Sequence, residues 1–155
     1  MHLVLVDDEP AILDVLAAAC AADGHTVEAF SSPLEALGYL RSRRADVLIA
    51  DIVMPPPDGF RLVSAARKLQ PDLVAILMTG YGSRYSVEDV LACGAADLIF
   101  KPFRTQEMRV RVRLAEERRR QRGSPAPPRA KNALTESECE RGARQALAAL
   151  VGKHL

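Results

Sequence analysis

The chain has 155 residues, 48% of them apolar and 26% charged, a globular composition at one domain's length that excludes a fibrous or wholly disordered chain. Lys plus Arg number 21 against 20 for Asp plus Glu, giving +1, so no global field points to nucleic acid or a membrane surface. Cys20, Cys93 and Cys139 include no Cys-x-x-Cys pair, no apolar run approaches the roughly 18 residues that span a bilayer, and Asp7-Asp8-Glu9 interrupts any signal-peptide pattern, so a reduced, cytoplasmic protein without a membrane segment is expected.

Short apolar runs at 2–6, 26–30, 47–50, 73–78 and 98–100 alternate with segments carrying helix-start signals, the pattern of a parallel sheet with crossover helices. Near-continuous hydrophobicity in Val47-Leu48-Ile49 and Val74-Ala75-Ile76-Leu77 predicts strands covered on both faces. Pro10 suits the first turn of a helix that Gly24 would end. Ser32-Pro33-Leu34-Glu35 carries a capping serine, a proline at the first helical position and a glutamate three residues after the cap. Asp58-Gly59 precedes a helix running to Lys68, and a fourth helix is predicted to begin between Ser83 and Ser86 and to end at Gly94.

The fifth helical segment is ambiguous in pattern. Met108, Val110, Val112 and Leu114 alternate with arginines at period two, as a strand would. Good helix formers and the absence of a turn signal through Arg120 favour helix. Its arginines read either as a phosphate-backbone or partner patch or as a solvated helix end, and the second is preferred. Beyond Arg122 a proline-rich linker spans 123–133. A tail at 134–155 follows, with a capping-box pattern at Thr135-Glu-Ser-Glu138 and an apolar stripe of Cys139, Ala143, Ala146, Leu147, Leu150 and Val151. The tail reads as a docking or dimerising helix, or as the start of a longer regulator; a lone helix lacks the second helix of a DNA-reading helix-turn-helix, so nucleic acid is not an expected partner.

Four features fall at the C-terminal ends of predicted strands, where open α/β sheets place their ligand sites. They are Asp7-Asp8, Asp51, Thr79 and Lys101, the last followed by Pro102. Three carboxylates converging within about 5 Å would repel by roughly 3 kcal/mol per pair at an effective dielectric of about 20, so positive charge is required among them. Hard oxygen ligands suit Mg²⁺, and Lys101 supplies a fixed cation. A carboxylate can act as a nucleophile toward phosphorus, with catalysis coming mostly from positioning and charge neutralisation. His2, His25 and His154 have no convergent partners in the sequence and read as surface or edge residues.

The stretches LVDDEP (5–10), LIADIVMPPPDGF (48–60), ILMTGYGS (76–83) and GAADLIFKPF (94–103) resemble, in order, the signatures of bacterial response regulator receiver domains. The resemblance covers residues 1–122. It implies a doubly wound, flavodoxin-like α/β fold with five parallel strands in the order 2-1-3-4-5. It implies that Asp51 accepts a phosphoryl group from a sensor histidine kinase or phosphotransfer protein. Asp7, Asp8, Asp51 and the Val53 carbonyl would hold Mg²⁺, Lys101 would neutralise charge, and Thr79 would donate its hydroxyl. The face of strand four, helix four and strand five would switch, and a homodimer through the helix 4/strand 5/helix 5 face or the tail is a further expectation. The chain would catalyse its own phosphoryl transfer and slow dephosphorylation without being a turnover enzyme.

Some positions depart from the family pattern. Leu98 stands where an aromatic usually precedes the lysine by three residues, and Pro55-Pro56-Pro57-Asp58-Gly59 replaces the usual Pro-Gly-x-Asp-Gly loop. Gly80 leaves access to the phosphoryl group open, and Val53 has no polar group to orient water. These departures raise a second reading, a receiver-like interaction module that takes no phosphate. A small phosphatase with an Asp nucleophile is disfavoured, because such enzymes carry a second acid where Val53 stands.

Overall fold

The computed structural model describes residues 1–80 and 85–123. Five strands, β1 (His2–Val6), β2 (Thr26–Phe30), β3 (Val47–Asp51), β4 (Val74–Thr79) and β5 (Asp97–Phe100), alternate with helices α1 (Pro10–Ala22), α2 (Pro33–Ser42), α3 (Gly59–Leu69), α4 (Val87–Ala92) and α5 (Thr105–Gly123). All neighbouring strands are parallel, in the order β2-β1-β3-β4-β5. The fold is therefore the doubly wound α/β sheet expected. The proposed linker beyond Gly123, the tail, Tyr81 and Ser83 lie outside the described residues.

Alternation along each strand divides the core in two, because successive side chains point to opposite faces. Val4, Val6, Leu48, Ala50, Ala75, Leu77 and Leu98 meet Leu40 of α2, Leu62 and Val63 of α3 and Val90 of α4. Leu3, Leu5, Val47, Ile49, Ile76, Met78 and Ile99 meet Leu13 and Leu16 of α1 and Met108 and Val112 of α5. Strands buried on both faces need apolar residues at every position, which is why β3 and β4 lack polar alternation.

The helix boundaries follow their caps. Ser32 accepts from the Glu35 amide, and Ser86 and Asp89 form a reciprocal capping box that starts α4. Gly24 and Gly94 adopt φ of +82° and +84° just past α1 and α4, a conformation only glycine takes without strain. Gly59 is required for a different reason. A Cβ there would lie 2.2 Å from the Asp51 carbonyl oxygen, so the start of α3 sits directly against the backbone that carries Asp51.

The period-two pattern in α5 resolves by burial. Met108, Val112 and Ala115 are buried at helical spacing, whereas Val110 and Leu114, which a strand would place on the same face, are 45% and 43% exposed. Its arginines are in part the solvated end expected, with Arg113, Arg118 and Arg120 exposed, and in part paired. Arg109 bridges Asp23, Arg111 bridges Asp97, Arg119 bridges Asp46, Arg120 bridges Glu116 and Arg118 donates to the Ala96 carbonyl. Arg109, Arg118 and Arg119 fasten α5 to loops at the sheet's ends and Arg111 fastens it to β5, while Arg120 pairs within the helix.

Gln70, 7% exposed, ties the end of α3 to the end of α2 and the loop that follows it. Its Oε1 accepts from the Ala45 amide at 3.0 Å, and its Nε2 donates to the carbonyls of Leu40 and Arg43 at 2.8 and 2.7 Å. Gln70→Ala would leave these buried backbone groups unsatisfied and is expected to destabilise by about 2 kcal/mol. Urea titration should show a lower midpoint with an unchanged slope.

Candidate functional site

The parallel register brings the ends of β1, β3, β4 and β5 to one edge of the sheet. Asp51, the last residue of β3, pairs with Met78, and Thr79, the last of β4, pairs with Phe100. The Lys101 amide donates to the Thr79 carbonyl at 2.6 Å, which fixes the lysine beside the threonine. Asp7 and Asp8 follow β1 directly.

Lys101 Nζ lies 2.7 Å from Asp7 Oδ2 and 3.1 Å from Asp51 Oδ2, bridging the two buried acids. Asp7 has no exposed surface and Asp51 is 5% exposed, while the Lys101 side chain retains 13%. The remaining carboxylate valence is met by backbone. The Glu9 amide donates to Asp7 Oδ1 at 2.9 Å and the Val53 amide to Asp51 Oδ1 at 3.3 Å. Asp8 stands exposed at the mouth.

Oxygens of Asp7, Asp8 and Asp51 lie within 4.8 Å of one another. One ammonium does not balance three carboxylates at this separation. A hard, all-oxygen donor set with one solvent-facing member fits a small divalent cation that keeps several waters, as Mg²⁺ does. Burial lifts the Asp51 carboxyl above the usual aspartate value of 3.8; the hydrogen bond from Lys101 opposes that lift without cancelling it, and the Asp7 charge adds to it. Burial works against the Lys101 ammonium, yet its bonds to Asp7 and Asp51 outweigh this, and the lysine titrates above 10.5.

The geometry therefore joins Asp7, Asp8, Asp51 and Lys101, and it sets Thr79 and Val53 on adjoining backbone. His2 differs from expectation in having a partner, since its Nε2 lies 3.2 Å from the Tyr39 hydroxyl at the β1 end remote from the acidic cluster. The sequence reading missed Glu9, whose Oε1 is 3.6 Å from Lys101 Nζ, and the packing role of Gly59. Glu9 carried a signal, being adjacent to the acidic pair; the Gly59 contact had none, because it depends on where α3 meets β3.

The family model described as the response regulator receiver domain matches residues 3–113. The chain belongs to this family. The C4-dicarboxylate transport transcriptional regulatory protein DctD of Rhizobium meliloti (strain 1021) is 37% identical over 116 residues, covering 75% of this chain and 25% of that protein. The response regulator MprA of Mycobacterium avium (strain 104) is 32% identical over 113 residues, covering 73% of this chain and 50% of that one. The chain thus spans between a quarter and a half of these relatives' matched counterparts. Among solved structures, a CheY-like receiver domain protein from Methanospirillum hungatei JF-1 superposes with a TM-score of 0.74 at 26% identity, covering 78% of this chain and 97% of that one. The beryllofluoride-activated NtrC4 receiver domain dimer gives 0.71 at 26% identity, covering 76% and 98%.

Receiver domains bind Mg²⁺ at an acidic pocket, and Asp7, Asp8 and Asp51 form an acidic cluster here. The receiver's departures have structural counterparts. Leu98, in place of the usual aromatic, is 5% exposed and packs in the core beneath α2, α3 and α4. In the triple-proline loop the Pro56–Pro57 peptide is cis, and among the described residues only glycines have positive φ. No described helix is long and apolar enough to cross a membrane.

Proposed function

We propose that this receiver domain takes a phosphoryl group onto Asp51 from the phosphohistidine of a sensor histidine kinase or phosphotransfer protein in the cytoplasm. The observation that carries the reading is Lys101 Nζ held at 2.7 and 3.1 Å between Asp7 and Asp51, beside the acidic cluster. Asp8, Asp51, Asp7 and the Val53 carbonyl would hold Mg²⁺. When bound, the ion would supply neutralisation of phosphoryl oxygens.

An Asp51 carboxylate oxygen attacks phosphorus as the donor's N–P bond breaks. The bonding pair leaves with the imidazole nitrogen, which takes a proton from solvent. Lys101 keeps Asp51 ionised against the burial that raises its pKa, and then shares the charge of the incoming oxygens. The Thr79 hydroxyl donates to the new aspartyl phosphate. Because this group carries about two negative charges, its bonds to Thr79 and Lys101 bias the arrangement of β4, α4 and β5. Hydrolysis of the acyl phosphate resets the domain, so the chain is a self-catalysed switch and not a turnover enzyme.

A groove of about 550 Å³ opens beside Lys101 and Gly80, walled by Ile12, Val15 and Leu16 of α1 and by Pro102 and Phe103. Val15 is 58% exposed there. An apolar wall continuous with the acceptor pocket suits the helix of a phosphohistidine-bearing partner. Val110 and Leu114 give α5 an exposed apolar pair that supports a homodimer through the α4/β5/α5 face, with the tail as the other dimer element. The near-neutral chain and the pairing of Arg109, Arg111 and Arg119 with acids leave little case for nucleic acid. We divide the chain into the receiver at 1–122, a linker at 123–133 and a tail at 134–155, the tail lying outside the described residues.

Acetyl phosphate with Mg²⁺ tests the reading. A single phosphoryl adduct by intact-mass spectrometry, absent when Mg²⁺ is chelated, is the expected result. The departures at Leu98 and in the triple-proline loop motivate the second reading, an interaction module that takes no phosphate; no adduct, and no NMR response to beryllium fluoride with Mg²⁺, would establish it.

A further inference from the structure

Glu9 occupies the N-cap of α1, with its carbonyl accepting from the amides of Ile12 and Leu13 at 3.1 and 3.3 Å and its own amide bound to Asp7 Oδ1. Its backbone is thereby fixed. Its side chain makes no capping bond to the helix, the usual service of a polar group at this position. The carboxylate instead lies 3.6 Å from Lys101 Nζ and is 65% exposed, the solvent-facing member of the three acids paired with that lysine. It also lines the groove mouth.

We propose that Glu9 is a positioning and specificity-determining residue: a charged gate that steadies Lys101 and favours partner-delivered phosphate over small free anionic donors. The inference rests on the phosphoryl-acceptor reading above. Among the described residues, Asp7, Asp8, Asp51 and Glu9 set four carboxylates against the ammonium of Lys101 at one pocket. A divalent cation entering this field is attracted, and a free phosphate ester or acyl phosphate is repelled. A partner docked in the adjoining groove overcomes the same repulsion with contact area. The Glu9 side chain is exposed, and backbone bonds alone hold its place at the start of α1, so its charge can be removed without disturbing the core.

The test compares wild type, Glu9→Gln and Glu9→Asp. Mg²⁺ affinity is followed by NMR, and the rate constant for labelling by dilute acetyl phosphate at saturating Mg²⁺ by intact-mass spectrometry. Glu9→Gln is expected to weaken Mg²⁺ binding by about three-fold and to speed labelling by about three-fold at low ionic strength, the size of one partly screened charge. Both differences should collapse in about 1 M salt, and Glu9→Asp should restore wild-type values in large part. Opposite movement of the two quantities is the signature, since a merely structural change lowers both. Unchanged values, or values that fall together, overturn the inference while wild-type labelling leaves the acceptor reading standing. Wild-type chain that takes no label overturns both.

Discussion

Asp51→Asn is expected to bring phosphoryl incorporation to background, a loss of at least about a thousand-fold, or about 4 kcal/mol of transition-state stabilisation. An amide is neutral at every accessible pH and is a far weaker nucleophile toward phosphorus than a carboxylate. The fold should survive, which separates lost chemistry from lost structure. Asp51's folded pKa is raised above 3.8, so the stability it contributes is present below that value and is lost as pH rises through the folded value. At neutral pH the Asn variant is therefore expected to melt no lower than wild type in the absence of Mg²⁺. Mg²⁺ affinity should fall with one ligand gone. Undiminished labelling of this variant, measured by intact mass with acetyl phosphate, would remove Asp51 from the acceptor role.

Lys101→Met carries the largest expected cost in stability. Asp7 is wholly buried and Asp51 nearly so, and Lys101 is the ammonium bound to both. Removing it strands two buried carboxylates, which costs about 3 kcal/mol by the behaviour of broken buried pairs. Added Mg²⁺ should return part of this loss, so the variant's melting temperature should climb more steeply with Mg²⁺ than that of wild type. The pH dependence has a definite sign. Lys101 titrates above 10.5 in the fold, so its contribution is complete below 10.5 and is lost as pH rises through the folded value. The gap between wild type and Lys101→Met should stay constant at neutral pH and close only at strongly alkaline pH. A variant as stable as wild type in chelator would mean that the bridge contributes nothing.

The inner strands β3 and β4 were legible because burial on both faces demands unbroken apolar runs, and the helix starts because Ser32, Asp58 and Ser86 satisfy amides at fixed offsets. The apolar runs nevertheless stopped short of Asp51 and Thr79, and they missed Asp97. Hydrophobicity marks the covered middle of a strand, whereas the hydrogen-bond ladder continues onto polar residues at its ends. In α5 the pattern alone read as a strand and residue propensity as a helix, and only packing against α1 and the sheet selected Met108, Val112 and Ala115 as the inward set.

The candidate site divides along the same line. Residue type and strand-end position nominated Asp7, Asp8, Asp51, Thr79 and Lys101, because charge and topology are properties of the chain order. The order of the β-α units, the acidic character of the pocket and the family signatures were all legible before any coordinates. The fold alone decided that Lys101 bridges Asp7 and Asp51, that Glu9 turns away from its helix toward that lysine, that Gly59 must lie against Asp51's carbonyl, and that Arg109, Arg111 and Arg119 of α5 pair with acids of the domain. Each of these depends on distances of a few ångströms between residues in different elements of the fold, and local propensity carries no information about such separations.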